Sequence, residues 1–207
     1  MNEPTDTPEI PFPPPPWRLS GELWAGLFQT DRPVPVPPEL RHLIGPRWLV
    51  IVLARYLGGT LHYDELAFGV FARRGVRVGL YVDHLWVNNP ASLWGGRRIW
   101  GLPKERAEFD WSGSTVRVGD SVGTIASLRL ESRVTGHVPM WLPAAGFGQL
   151  DGRWAITLMG LRARLRPARW DLGEWSDRFP YRAVGAPVLG LAGAPMRLLI
   201  PAPVRST

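Results

Sequence analysis

From about residue 47 onward the chain alternates short apolar runs with breaks rich in glycine, proline or charge. The runs "RWLVIVLARY" (47–56), "ELAFGVFA" (65–72) and "VRVGLYVD" (76–83) have the length and β-branched content of strands, and "ARRG" between the last two reads as a hairpin turn. Further strands are predicted at 114–118, 123–134, 153–170 and 196–202, while "GFGQLDG" (146–152) reads as a turn. Two helices are expected. One spans about 37–44, after Pro37 and Pro38 and before Gly45. The other is about two turns long, capped by Asn89, opened by Pro90 and ended by Gly95 and Gly96. Strands at this density predict a mainly β protein, a barrel or a sandwich with a few short helices.

Upstream, "PEIPFPPPPW" lacks the backbone donors needed for helix or sheet and reads as an extended leader, so residues 1–16 are taken as a proline-rich leader and 17–207 as one domain. At 207 residues a single core is the expectation, and eleven tryptophans make it aromatic-rich.

Composition narrows the chemistry. The absence of cysteine excludes disulfides, thiolate metal sites and a cysteine nucleophile. No apolar run approaches the length of a membrane-spanning helix, and the acidic, proline-bounded start does not resemble a signal sequence, so a cytoplasmic protein without membrane contact is expected. The net charge of +6 comes from arginines scattered among acids, including Arg162, Arg164 and Arg166 on one face of a strand, and this pattern argues for a solvated face and against nucleic-acid binding. His42, His62, His84 and His137 show no metal-ligand spacing, and no phosphate loop, dinucleotide fingerprint or nucleophile elbow is present.

One residue breaks the preference for arginine. Of the 24 basic residues only Lys104 is a lysine, in "WGGRRIWGLPKERAEF". Where a cation suffices this chain uses arginine, so Lys104 points to chemistry that needs a neutral, nucleophilic amine, which arginine cannot provide. A nucleophilic lysine must shed its proton, which apolar surroundings favour, and Trp100, Leu102, Pro103 and Phe109 would supply them.

The stretch "VNNPASLWGGRRIWGLPKERAEF" resembles the acetoacetate decarboxylase family, with Gly96, Arg97, Pro103 and Lys104 in the family's order after a short helix; "GGTLHYDE" extends the resemblance to Tyr63 and Glu65. The resemblance implies a largely antiparallel β-barrel with peripheral helices and an interior apolar pocket. There Lys104 forms a Schiff base with a small keto acid, Glu65 transfers or positions a proton, and Tyr63, Arg97 and Trp100 line the substrate site. It also implies that no external cofactor is needed and that the chain forms a homo-oligomer. Decarboxylation of a β-keto acid is the first reaction it suggests. At positions where the family carries an arginine and a further glutamate this chain has Gly21 and Val50, with Arg18 or Arg55 to compensate, and where the family carries a second lysine it has Glu105, with Arg98 and Arg106 to replace part of the cation. Those departures keep open an aldolase or dehydratase using the same imine, and a non-catalytic barrel that only binds a small molecule.

Overall fold

A computed structural model describes residues 10–131 and 137–206 of the chain; residues 1–9 of the leader and 132–134 of a predicted strand lie outside the described residues. The elements run β1 (Trp17–Thr30), β2 (Arg41–His42), β3 (Trp48–Gly59), β4 (Tyr63–Arg74), β5 (Arg77–Val87), α1 (Pro90–Trp100), β6 (Lys104–Arg106), β7 (Glu108–Ser112), β8 (Thr115–Asp120), β9 (Gly123–Glu131), β10 (Val138–Leu150), β11 (Arg153–Pro167), β12 (Arg169–Trp175), β13 (Ala183–Ile200) and β14 (Val204–Ser206).

Seven strands close a barrel in the order β4-β3-β1-β13-β11-β10-β5, with β5 returning to β4. The chain is thus mainly β, but the barrel is mixed and not purely antiparallel. Its parallel seam joins β5 to β10 at Leu80–Gly146 and Tyr81–Phe147. Parallel neighbours need a long crossover, and α1 with the strands β6 to β9 supplies it between β5 and β10. β6 also runs parallel to β5, which pairs Lys104 with Leu85.

Strands β7 to β9 of the crossover, joined by β12 from after β11, build a second, antiparallel sheet, β12-β9-β8-β7, which packs against the outside of β3 and β4. Leu49, Ile51 and Leu53 of β3 and Leu66, Phe68 and Val70 of β4 face Val116, Val118, Ile125, Leu128 and Trp170 in one buried cluster. The alternate residues Val52, Ala54 and Tyr56, with Tyr63, Glu65 and Ala67, face the barrel interior. Both faces of these strands are covered, which is why they read as nearly continuous apolar runs.

Several predicted elements change. No helix forms at 37–44; Leu40 N–H closes a turn on Pro37 O, and Arg41–His42 pair with Arg73 and Ala72 at the edge of β4. The helical spacing there never finds a surface to cover, since Leu43 and Ile44 stay exposed while Val34 and Leu40 are buried. The strand predicted at 153–170 divides at Pro167, which cannot donate to a ladder, so β11 stays in the barrel and β12 joins the second sheet. The turn expected at 146–152 contracts to Asp151–Gly152, both at positive φ, between β10 and β11. β1 and most of β13 have no counterpart in the apolar pattern, because register shifts at Gly21 and beyond break their alternation.

Candidate active site

The helix α1 prepares the place where Lys104 sits. Asn89 caps it by accepting from Ser92 N–H, and Asn88 and Asn89 tie its start to β4 through the Asp64 carboxylate and the His62 carbonyl. The helix does not stop at Gly95 and Gly96 as expected; it runs on to Trp100 and ends at Gly101, in the left-handed region at φ 63°. The two inner glycines serve close approach. A Cβ on Gly95 would meet the ring of Trp17, and one on Gly96 would run into the side chain of Lys104. Ser92 and Gly96 are one turn apart, so they form one narrow stripe on the buried side of the helix.

The lysine stem crosses Gly96 and its tip reaches Ser92. Lys104 is 3% exposed; its Nζ donates to Glu65 Oε2 at 2.7 Å and to Ser92 Oγ at 2.9 Å, and stands 5.0 Å from the centre of the Tyr63 ring. The register explains how two residues 39 apart meet: Glu65 pairs with Val87 and Lys104 with Leu85, so they flank β5 at one end of the barrel. Beyond Lys104, the strand's alternation puts Glu105 on the exposed side, pointing away from the site. Arg97 braces the same strand from behind by donating from Nε to the Lys104 carbonyl oxygen at 2.6 Å.

Two phenols complete the polar end. Tyr56 O–H donates to Glu65 Oε1 at 3.4 Å, and the Tyr56 and Tyr63 rings lie 4.6 Å apart. Burial, reinforced by the charge of Glu65, pushes both phenols well above their ordinary pKa; for Tyr63 a hydrogen bond with Ser92 pulls weakly the other way. They therefore stay protonated donors. Next to Glu65 in sequence, Asp64 faces the opposite side of β4, where it accepts from Trp111 Nε1 and Asn88 Nδ2; burial raises its carboxyl pKa, and those bonds together with Arg55 moderate the shift.

These groups open into a cavity of about 260 Å³ inside the barrel. Its wall includes Trp17, Ala54, Leu85, Trp100, Leu161 and Met196, and its polar side chains are Lys104, Glu65, Tyr56, Tyr63 and Thr157. Among the described residues no arginine lines it. Gly21 cannot be replaced by a larger residue on this backbone, since a Cβ there would strike the Arg55 carbonyl oxygen. The residue across from Glu65 on β3 is Ala54, with Val50 further along the strand, and neither carries a second acid. Arg55 lies over the Trp111 ring, 4.8 Å from its centre and 3.7 Å from Asp64, outside the barrel, and Arg18 is exposed.

Of the residues singled out from sequence, Lys104, Glu65, Tyr63 and Trp100 meet on the cavity wall, and Arg97 does not line it. Trp100 is a wall fixed by its own bond, Nε1 to Pro201 O at 2.8 Å, and by edge contact with Trp17. Phe109 packs with the second sheet instead. Ser92 and Tyr56 escaped sequence reading. The signal for Ser92 is its place one turn before Gly96 in a capped helix; Tyr56, at the end of an apolar strand, carries none.

A family model described as acetoacetate decarboxylase matches residues 2–138. No curated protein matches the chain. Among solved structures, an acetoacetate decarboxylase from Legionella pneumophila is 17% identical, with 100% of this chain and 92% of that chain covered and a TM-score of 0.67. The enduracididine biosynthesis enzyme MppR, complexed with pyruvate, is 13% identical over 94% of this chain and 91% of its own, with a TM-score of 0.70. An acetoacetate decarboxylase-like enzyme from Sphingomonas wittichii is 13% identical over 92% of each chain, with a TM-score of 0.58.

Proposed function

The chain belongs to the acetoacetate decarboxylase family, and from that premise we propose that it is an enzyme that joins a carbonyl substrate to Lys104 as an imine. The observation that carries this is the contact of Lys104 Nζ with Glu65 Oε2 at 2.7 Å at the polar end of an apolar cavity. The ammonium gives a proton to the carboxylate, and the free amine adds to the carbonyl carbon. Glu65 returns that proton as the carbinolamine oxygen departs as water, leaving a protonated imine facing the carboxylate. Ser92 holds the amine in place, and Tyr56 holds the carboxylate. The imine then withdraws electrons from the neighbouring carbon. A proton leaves that carbon for Glu65, and the electron pair moves to nitrogen as an enamine.

The fate of the enamine depends on the substrate. Decarboxylation of a β-keto acid would deliver the same enamine by loss of carbon dioxide. The cavity favours the other route, because no described arginine on its wall is placed to hold a carboxylate. In an aldol step the enamine carbon attacks an aldehyde, whose oxygen takes the Glu65 proton, and water then releases the product from Lys104. The complex of MppR with a condensation product of pyruvate and imidazole 4-carboxaldehyde is in keeping with such a step on this fold.

Proton exchange tests the reading without a second substrate. In deuterated water the protein exchanges the α-protons of a bound ketone, seen by proton NMR; Lys104→Met abolishes exchange, and Glu65→Gln slows it about a hundredfold or more. Exchange by Lys104→Met at the original rate would contradict the proposal. Rapid carbon dioxide release from a β-keto acid would favour the decarboxylase.

A further inference from the structure

We infer that Thr157 is a second anchor for the substrate: it hydrogen-bonds a neutral oxygen, hydroxyl or carbonyl, carried several carbons away from the carbonyl that Lys104 takes. The inference rests on the imine reading above. Thr157 lies on β11 in alternation with Met159 and Leu161, faces the cavity with them, and is 6% exposed. Its hydroxyl makes no hydrogen bond among the described residues and is not sealed off from the cavity. The other polar side chains of the wall, Lys104, Glu65, Tyr56 and Tyr63, gather at one end and contact one another. Thr157 stands apart from them.

Strand register sets the separation. Thr157 pairs with Gly146 and Gly146 with Leu80, whereas Lys104 pairs with Leu85. Five residues of β5 therefore lie between the two levels, roughly 16 Å along the strand at ~3.3 Å per residue. The inward residues on that path, Leu80, Val82 and Leu85, are hydrocarbon. The wall is thus polar at the lysine, apolar between, and polar again at Thr157. Gly146 keeps this second point open, because it lies directly across the ladder and brings no side chain over the hydroxyl. Valine would fill the same space, so what threonine adds is an oxygen in dry surroundings, which is costly until a partner arrives. A threonine hydroxyl both donates and accepts, so it serves a hydroxyl or a carbonyl equally. Its neighbours on the wall, Leu80, Ala144, Gly146 and Met159, carry no charge, which suits a neutral oxygen. The carboxylate of a keto acid, next to the reacting carbonyl, would stay at the lysine end. The 260 Å³ of the cavity hold roughly nine water-sized groups at ~30 Å³ each, the size of a seven-carbon ketone with one further oxygen.

Matched probes read the second anchor separately from the imine. The full chain is incubated with 2-oxoheptanoate or 7-hydroxy-2-oxoheptanoate, and with 2-heptanone or 7-hydroxy-2-heptanone, so that each pair differs by one distant hydroxyl. Each mixture is reduced with borohydride, and the adduct is measured by mass against probe concentration in the parent protein, Thr157→Val and Thr157→Ser. In every pair that forms adducts, Thr157→Val should raise the half-saturating concentration of the hydroxylated probe at least fivefold and leave its plain counterpart within twofold. Thr157→Ser, which keeps the hydroxyl, should retain the binding of the hydroxylated probe. A Thr157→Val variant that shifts both members of a pair equally, or neither, would overturn the anchor while leaving the imine intact. No adduct from any of the four with the parent protein would remove the imine, and the inference with it.

Discussion

At the residue scale the site is a buried ion pair whose members depend on each other. Lys104 and Glu65 are held away from water, so removing one partner leaves an uncompensated charge, at a cost of about 3–5 kcal/mol. Glu65→Gln and Lys104→Met should each lower stability by that order in urea unfolding. The double variant should recover much of the loss, because no buried charge is left alone. Additive losses would show that the two side chains do not interact. Lys104 was legible because arginine serves everywhere else, and Glu65 and Tyr63 because their segment carries the family pattern. Ser92 was not, because its role exists only once α1 has placed it beside a residue twelve positions away.

At the element scale, the packing of α1 against β6 decides whether the lysine reaches its partners. A side chain at Gly96 would occupy the path of the Lys104 stem, with an ideal Cβ only 2.6 Å from Cε. Because the obstacle is a side chain and not backbone, the stem can move at the expense of its contacts with Glu65 and Ser92. Gly96→Val should therefore keep the native circular dichroism spectrum while imine trapping falls by at least tenfold. Unchanged trapping would mean that the stripe does not guide the lysine. The same glycines mislead when read from sequence, since a Gly-Gly pair after a capped helix marks an end as readily as a close approach. Trp17 against Gly95 and Lys104 against Gly96 separate the two, and these are contacts between distant parts of the chain.

At the scale of the whole molecule, the barrel closes through partners far apart in sequence, such as Leu19 with Leu198, and through a parallel seam that exists only because the crossover intervenes. Local patterning showed the strands β3, β4 and β5, whose faces are covered on both sides. It could not show the closure or the second sheet that covers them. The same burial governs the response to alkali. Burial, aided by Glu65, raises Tyr56 and Tyr63; burial and Asp83 raise Tyr181 in the outer cluster, and do the same to the half-buried Tyr81. A phenol whose folded pKa exceeds its unfolded value of about 10 favours folding below that pH, and stability is lost as pH rises above it. Phenolate absorbance from Tyr56, Tyr63 and Tyr181 should appear only together with loss of tertiary structure, whereas titration of these three in the folded protein near pH 10 would contradict their burial.

The nucleophile itself is tested by reducing the protein with borohydride in the presence of a panel of small keto acids and ketones, digesting it, and locating the added mass. Since the chain has one lysine, the only other primary amine is its α-amino group, and the two fall on different peptides. The expected result is one adduct on the peptide that contains Lys104, absent in Lys104→Met. An adduct confined to the α-amino group, or none from any member of the panel with natively folded protein, would contradict an imine on Lys104.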